Sequence, residues 1–457
     1  MPGSAPWFQP DAAALNLFLF PSHSPVETVT SSQIIAGAVA LITLVALSAG
    51  SVPVLRLNRA GIAIVGAAAL LATGVLSMTQ AAATIDPSTI LLLLSMMMIN
   101  AVLELAGFFN LAGRLVIERA GSPLVLLILV AVSSGALSML FLNDTVVLML
   151  TPLVCSIALR LRRNPLPYLI ALATAANVGS TATITGNPQN ILIGASSGIP
   201  YLAFLAHLGP VALVGLVIVV AVIRVLYPQE FGVRRFGMLD GEADLPHLAA
   251  DRPPLAHSAV SAAVNMPVLR KSLLVIAAML IAFLAGAPVP VAALLAACAL
   301  LITRRIKAEK ILNLVDWPLL AMFAGLFVVT GALEQTGVSE RLFALVKGLA
   351  YSGVAPLTLV TTLLSNTISN VPAVLLFRPL IANFPNPPLA WLTLAAASTL
   401  AGNLTLIGSV ANLIVAEQSL KMGVRLSFME YLRAGALITV LTLAAAIGWL
   451  ELAARLG

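Results

Sequence analysis

The residues of this chain that could do chemistry are mostly neutral, polar and written twice. Asn143, Asp144 and Thr145 interrupt the apolar run FLNDTVVLMLTPLV (Phe141 to Val154). At an offset of 227, Asn143 falls on Asn370 and Pro152 on Pro379 in SNVPAVLLFRPLI (Ser369 to Ile381). Thr183, Gly186 and Asn190, in TITGNPQNILI, fall on Thr405, Gly408 and Asn412, in TLIGSVANLIV, at an offset of 222. A third pair precedes them: AVLELAG at 101–107 falls on GALEQTG at 331–337. Three matches in one order, at nearly constant spacing, mark two copies of one unit. Paired, Gly- and Pro-interrupted apolar segments in corresponding halves are the sequence sign of a carrier's binding site.

The chemistry follows from backbone accounting. Non-helical chain at membrane depth is tolerated only where protein or water satisfies it, and each break frees carbonyls and N–H groups at helix ends. Those ends carry partial charges that suit cations and anions respectively. The side chains supplied are neutral oxygens, which hold Na⁺, a hydrated proton or a small oxyanion reversibly. They are poor ligands for transition metals, which want His or Cys. The candidates in the first half are Asn143, Asp144, Thr145, Thr183, Gly186, Asn187 and Asn190. In the second half they are Ser365, Asn366, Thr367, Asn370, Asn403, Thr405, Gly408, Ser409 and Asn412. Asn and Thr also cap helix ends and tie helices together, at about 1 kcal/mol each; it is the duplication that favours function for the set. Asp144 stands apart. A charge in mid-membrane costs roughly 2.5–3.5 kcal/mol on insertion scales, and its counterpart is Val371, so symmetry does not require it. It reads as an ion ligand or proton carrier, against the plainer reading of a protonated or helix-end-paired carboxyl.

Other polar residues read as structural. Glu104 and Glu334 match each other near helix ends, where snorkelling or a structural hydrogen bond accounts for them. Asp86 and Asp316 also match and read as helix N-terminal residues. The four histidines form no cluster, and the Met run at 96–98 reads as packing surface. No metal ligand set and no cofactor is expected beyond a coupling H⁺ or Na⁺.

The elements that must position these residues are membrane helices. The 457 residues are 60% hydrophobic and 9% charged, against roughly 25% charged in soluble domains, with a mean hydropathy of +1.05. Apolar runs of about 18 residues or more argue for helical spans; a β-barrel would alternate instead. The net charge of +6 sits in short clusters between spans, where it orients the protein rather than binding nucleic acid. Cys155 and Cys298 lie in apolar stretches and form no disulfide framework. Residues 1–33 read as a tail, with no basic n-region and an apolar run too short to span.

Helices are predicted near 34–55, 60–77 and 88–110, an interrupted segment at 122–160, a broken span at 167–196 and a helix at 202–228. The second half repeats this at 272–286, 289–303, 318–336, 352–384, 388–417 and 430–454. Treating the interrupted segments as re-entrant hairpins gives each half an odd number of crossings, so the second copy is inverted. With both termini outside, 20 of the 24 Lys and Arg fall inside, as the positive-inside rule requires. Arg341, Lys347, Arg378 and Arg455 fall outside. Residues 229–271, rich in charge and proline, read as a flexible cytoplasmic linker. The fold class is therefore an all-α polytopic membrane protein of about ten transmembrane helices plus two re-entrant hairpins in an inverted repeat. Its repeats span 34–228 and 272–457.

Enzymatic readings lack residues. No GxSxG, HExxH, Walker or GxGxxG motif stands in a suitable context, and Asp144 has no acidic partner at depth in the sequence.

At the duplicated motifs the chain resembles the ion transporter superfamily, which includes arsenite permeases, D-type sodium/proton antiporters and divalent anion/sodium symporters. FLNDTVVLMLTPLV, ISNVPAVLLF and GNPQNILIG look most like the arsenite and anion permease branch. The symporter branch carries Ser-Asn-Thr at both hairpin tips; here Ser365-Asn366-Thr367 has it and Asn143-Asp144-Thr145 does not. That departure makes proton coupling through Asp144 an alternative to sodium, and leaves either Asn366 or Asn370 as the second tip residue. The resemblance implies a scaffold part and a moving part, and a homodimer. The expected activity is secondary transport of a small anion or arsenite in a bacterial inner membrane. A sodium/proton antiporter without an anion substrate, and a passive channel, are the alternatives.

Overall fold

A computed structural model describes residues 30–48, 51–52, 56–231, 264–341, 344, 348 and 352–456. Most of the expected tail and linker, 1–29 and 232–263, lies outside the described residues.

The first half runs α1 (Ser31–Ser48), a two-residue strand pair (Ser51–Val52 with Leu57–Asn58), α2 (Arg59–Ala72), α3 (Met78–Thr84) and α4 (Pro87–Ala106). It continues with α5 (Phe108–Arg119), α6 (Pro123–Leu140), α7 (Asn143–Arg160), α8 (Pro165–Ser180), α9 (Pro188–Ser197) and α10 (Tyr201–Leu226). The second half runs α11 (Met266–Leu284), α12 (Val289–Leu301), α13 (Ala308–Leu312) and α14 (Trp317–Gln335). Then come α15 (Val354–Ile368), α16 (Asn370–Phe377), a 3-10 turn (Arg378–Asn383), α17 (Pro387–Ala401), α18 (Val410–Lys421) and α19 (Phe428–Leu456).

Among the described residues eight helices are long and apolar enough to cross a membrane. Two of these, α6 and α7, are the arms of the first hairpin. The remaining six (α1, α4, α10, α11, α14, α19), the shorter apolar α2 and α12, and the broken pairs α8–α9 and α17–α18 are the expected spans. The protein is an all-α multi-pass membrane protein.

Local chemistry sets the helix starts. Pro opens α4, α6, α8, α9 and α17, where its missing N–H has no helical partner to lose, and Asp86, Ser122, Asn164, Asn187 and Asn386 cap the same helices with side-chain oxygens. Asp316 caps α14 in the same way, so the matching aspartates are the helix caps their positions imply. The α11 helix begins at Met266, inside the segment read as linker, because Asn265 caps it and Val268 and Leu269 are already buried.

The halves interlock. Helix α14 of the second half packs on α2 of the first, and α12 on α4, while α10 packs on α19. The hairpins sit against the broken spans: α6 on α8 and α15 on α17. Each hairpin turn meets its break directly. Asn143 N donates to Gly186 O at 2.9 Å, and Thr183 Oγ1 donates to Met139 O at 2.5 Å. In the second half Asn366 Nδ2 donates to Ala401 O at 3.1 Å.

Candidate functional site

The two breaks are built by one device. Asn190 Nδ2 reaches back to Ser180 O at 3.0 Å and Thr183 O at 3.0 Å. Asn412 Nδ2 reaches the matching carbonyls, Gly402 O at 2.8 Å and Thr405 O at 3.1 Å. Each amide satisfies helix-end carbonyls that a break would otherwise leave orphaned, and both residues are fully buried. Glycine is required between them: a Cβ on Gly186 would lie 2.4 Å from Ser180 O. In the second break a Cβ on Gly408 would press on Gly402 O at 3.0 Å and on Asn366 Oδ1 at 3.2 Å.

The breaks are then tied across the halves. Asn177 on α8, absent from the sequence-derived candidates, donates to Asn403 Oδ1 at 2.8 Å and Asn412 Oδ1 at 3.1 Å. Its own Oδ1 accepts from Asn143 Nδ2 at 2.9 Å and Ser409 Oγ at 3.2 Å. At an offset of 222 its counterpart is Thr399, whose Oγ1 accepts from Asn187 Nδ2 at 3.2 Å and Gln189 Nε2 at 3.1 Å. So each half's helix holds the other half's break. The only signal for Asn177 in the sequence is an Asn in an apolar helix ahead of a break, with Thr at the matching place.

Against this knot lies a cavity of about 50 Å³, lined by Arg59, Asn143, Asp144, Gln189, Asn370 and Ser409 among others. Residues at the N-termini of four half-helices, α7, α9, α16 and α18, face it. Two of the four, α16 and α18, have no side-chain hydrogen bond at the N-cap. The first amides of α7 are taken, Asn143 N by Gly186 O at 2.9 Å and Asp144 N by Asn143 Oδ1 at 3.0 Å. Helix α9 is capped by Asn187 Oδ1, which accepts from Asn190 N at 2.8 Å. Ser409 could cap α18 but turns its hydroxyl to Asn177 instead. Uncapped N–H groups with aligned peptide dipoles make a site for negative charge. Arg59, at the first turn of α2, adds a formal positive charge within electrostatic reach of Asp144. Its sequence position marked it only as a topology-setting charge.

Asp144 borders a second cavity, of about 190 Å³, shared with Asn100, Glu104, Thr145 and Asp316. Here Asn100 Nδ2 donates to Thr145 Oγ1 at 3.2 Å. Glu104 lines this cavity from the last turn of α4. The carboxylates of Glu104 and Asp316 join Asp144 only through the fold, which is why Asp144 looked solitary in the sequence.

The second hairpin tip has free acceptors. Asn366 Oδ1, Asn370 Oδ1 and Ser365 Oγ are buried without a hydrogen-bond partner. Thr367 does not join them: it is exposed, and its hydroxyl returns to Leu363 O at 2.7 Å. At about 100° per residue, Thr367 lies about 200° around the helix from Ser365 and about 100° from Asn366, which turns it away from both. Asn403 is fully buried and Thr405 half-buried; both serve the knot, Asn403 by its side chain and Thr405 by its carbonyl.

Residues 38–401 match the CitMHS family, described as citrate transporters. The chain belongs to that family. The expected place in the ion transporter superfamily therefore holds, and the protein is a membrane transporter. The silicon efflux transporter LSI3 of Oryza sativa subsp. japonica is 32% identical, covering 81% of this chain and 87% of that protein. An uncharacterized transporter of Mycobacterium tuberculosis is 31% identical over 87% of this chain and 94% of its own. The Alcanivorax borkumensis YdaH transporter shares the fold, with a TM-score of 0.56 at 13% identity, covering 93% of this chain and 97% of that one.

Proposed function

We propose that this transporter carries a small oxyanion or carboxylate, held in the cavity between the two hairpin tips, and is driven by a cation gradient. The observation that carries the reading is the convergence of four half-helix N-termini, two of them (α16 and α18) uncapped, with Arg59 on one cavity. Such an arrangement favours negative charge over a cation or a neutral solute. The description of the family as citrate transporters supports a carboxylate. The silicon efflux relative supports an oxyacid, the second reading.

For the coupling ion, the free oxygens of Asn366, Asn370 and Ser365 are neutral acceptors of the kind Na⁺ takes, whereas Asp144 is the group in the site that could carry a proton. Both termini lie outside an inner membrane in this reading, with 229–271 cytoplasmic, on the strength of the basic-residue distribution. A homodimer rests on the family resemblance alone.

The test is thermal stability of the purified protein in Na⁺ against choline, each repeated with citrate, phosphate, sulfate, arsenite and silicic acid. A ligand at about 100 times its Kd adds about 2.7 kcal/mol. Stabilisation by one anion that deepens in Na⁺ is expected. Stabilisation by Na⁺ with no anion effect would make the protein a cation antiporter. In proteoliposomes, flux that never accumulates solute against its gradient would make it a channel.

A further inference from the structure

A third cavity, of about 690 Å³, is lined by Ser196, Phe327, Thr330, Glu334, Arg378 and Trp391 among others. It lies in series with the hairpin cavity along the same two helices. On α14, Leu319, Met322 and Leu326 border the hairpin cavity, while Phe327, Thr330 and Glu334 border this one. On the α16 side, Asn370 and Val371 border the first, and Leu375 and Arg378 the second. The seven residue steps from Val371 to Arg378, just past the end of α16, span about 10 Å at a helical rise.

The repeat does not require a charge at Arg378. At an offset of 227 it falls on Thr151, which is buried and donates its hydroxyl to Val147 O within its own helix. A small side chain fills the matching position in the first hairpin. In the second hairpin a guanidinium lies over the Phe327 ring, 5.6 Å from its centroid, with no carboxylate of the described residues at ion-pair distance. Arg378 is also one of only four basic residues on the side that the positive-inside distribution leaves poor in them. Ser196 Oγ, buried on the same cavity wall, has no hydrogen-bond partner.

A guanidinium presents five N–H donors in a planar fork that matches paired oxygens. We propose that this cavity is a second anion site, in which Arg378 forks the paired oxygens of a carboxylate or tetrahedral oxyanion. Its volume is that of a small-solute pocket. It stands on the far side of the hairpin tip from Arg59, so it loads the inner site from the opposite face; that role, though not the binding, rests on the transport reading above. Glu334, exposed on the same wall, gives the site an acceptor for a hydroxyl on the bound solute.

Trp391 provides the readout. In the full chain with Trp7, Trp317 and Trp449 replaced by Phe, its fluorescence is titrated with citrate and, separately, with phosphate, against chloride. A saturable change with citrate alone identifies the ligand as a carboxylate, and with phosphate as a tetrahedral oxyanion. R378T, which installs the residue type the repeat has at the matching position, is expected to abolish the change and to leave only the part of the anion-dependent thermal stabilisation that the hairpin site supplies. In transport, R378T is expected to raise KM about tenfold through loss of charge focusing, with a smaller change in kcat. R59Q is expected to keep the Trp391 response and only the part of the stabilisation that binding at this cavity supplies.

The proposal is overturned if neither anion moves Trp391, or if R378T saturates as wild type does. If R378T does not fold, R378K serves: it keeps the charge and loses the fork, so an unchanged midpoint overturns the proposal and a midpoint raised at least about tenfold sustains it. Should R378T abolish the whole of the anion-dependent stabilisation together with the Trp391 response, the hairpin site fails and this one stands.

Discussion

The two hairpins share a backbone plan and differ in what their tips do with polar atoms. The first turns through Phe141 and Leu142, and its tip asparagine is engaged: Asn143 bonds both Asn177 and Gly186. The serine hydroxyl at the matching place, Ser138 Oγ here and Ser365 Oγ there, is buried without a partner in both hairpins. The second turns at Ser369 with φ +80°, a conformation rare outside glycine, and leaves Asn366, Asn370 and Ser365 with unmatched oxygens. Charge differs too. Asp144 stands where the second hairpin has Val371, and Arg378 where the first has Thr151. Duplication preserved the scaffold of the break while the chemistry at its edge diverged. The first tip is architecture plus one carboxylate. The second is a set of free acceptors plus one guanidinium.

The largest effect expected from this contrast is on Asp144. Asp144→Asn should abolish accumulation of solute in proteoliposomes while leaving expression and melting temperature near wild type. Wild-type accumulation at every pH would remove the carboxylate from the mechanism and reduce the contrast to packing.

Next come the carbonyl-bridging amides, the feature the halves share. Asn190→Ala and Asn412→Ala should each cost about 2–3 kcal/mol, because each strands buried helix-end carbonyls. Detergent-phase denaturation would show the two losses within about 1 kcal/mol of each other. A wider gap would mean the breaks are not equivalent.

The tip asparagines should then separate. Asn143→Ala is expected to cost about 2 kcal/mol, since it leaves the buried Asn177 carbonyl with one partner fewer. Asn370→Ala should cost less than about 1 kcal/mol, because the oxygen it removes has no partner, and should weaken stabilisation by Na⁺. Equal stability losses with an unchanged Na⁺ response would erase the distinction between the tips. The smallest effect is expected at the turn. Ser369→Gly should stay within about 1 kcal/mol of wild type, relief of strain offsetting a more flexible unfolded chain.

Much of the scaffold was legible because it rests on local signals. Asp86 and Asp316 before Pro87 and Trp317–Pro318, and the runs around Asn143 and Gly186, announce helix starts and breaks in the letters themselves. Partnerships were not legible. Asn177 matters because α8 and α18, from opposite halves, are brought together, and no local pattern encodes that. Arg59 reads like any topology-setting arginine until α2 is placed against the hairpin tips. Thr367 was misread for a simpler reason: the Ser-Asn-Thr triplet suggests a unit, but helical phase turns its third member outward. The amphipathic α5 was missed because Arg114, Glu118 and Arg119 make 108–119 look like a polar loop.

The crossed bonds of Asn177 and Thr399 have a meaning for how such a chain arose. Each break takes some of its hydrogen bonds from a side chain of the other copy, so a single unit would have left that part of its break unsatisfied. A half-length ancestor would have met this need by pairing head to tail with a second molecule, one inserted each way up. Fusion then turned an encounter between two polypeptides into a contact within one, raising the partner's effective concentration without altering the contact. Two fragments co-expressed from either side of the connecting segment should accordingly find each other and function, and neither should do so alone.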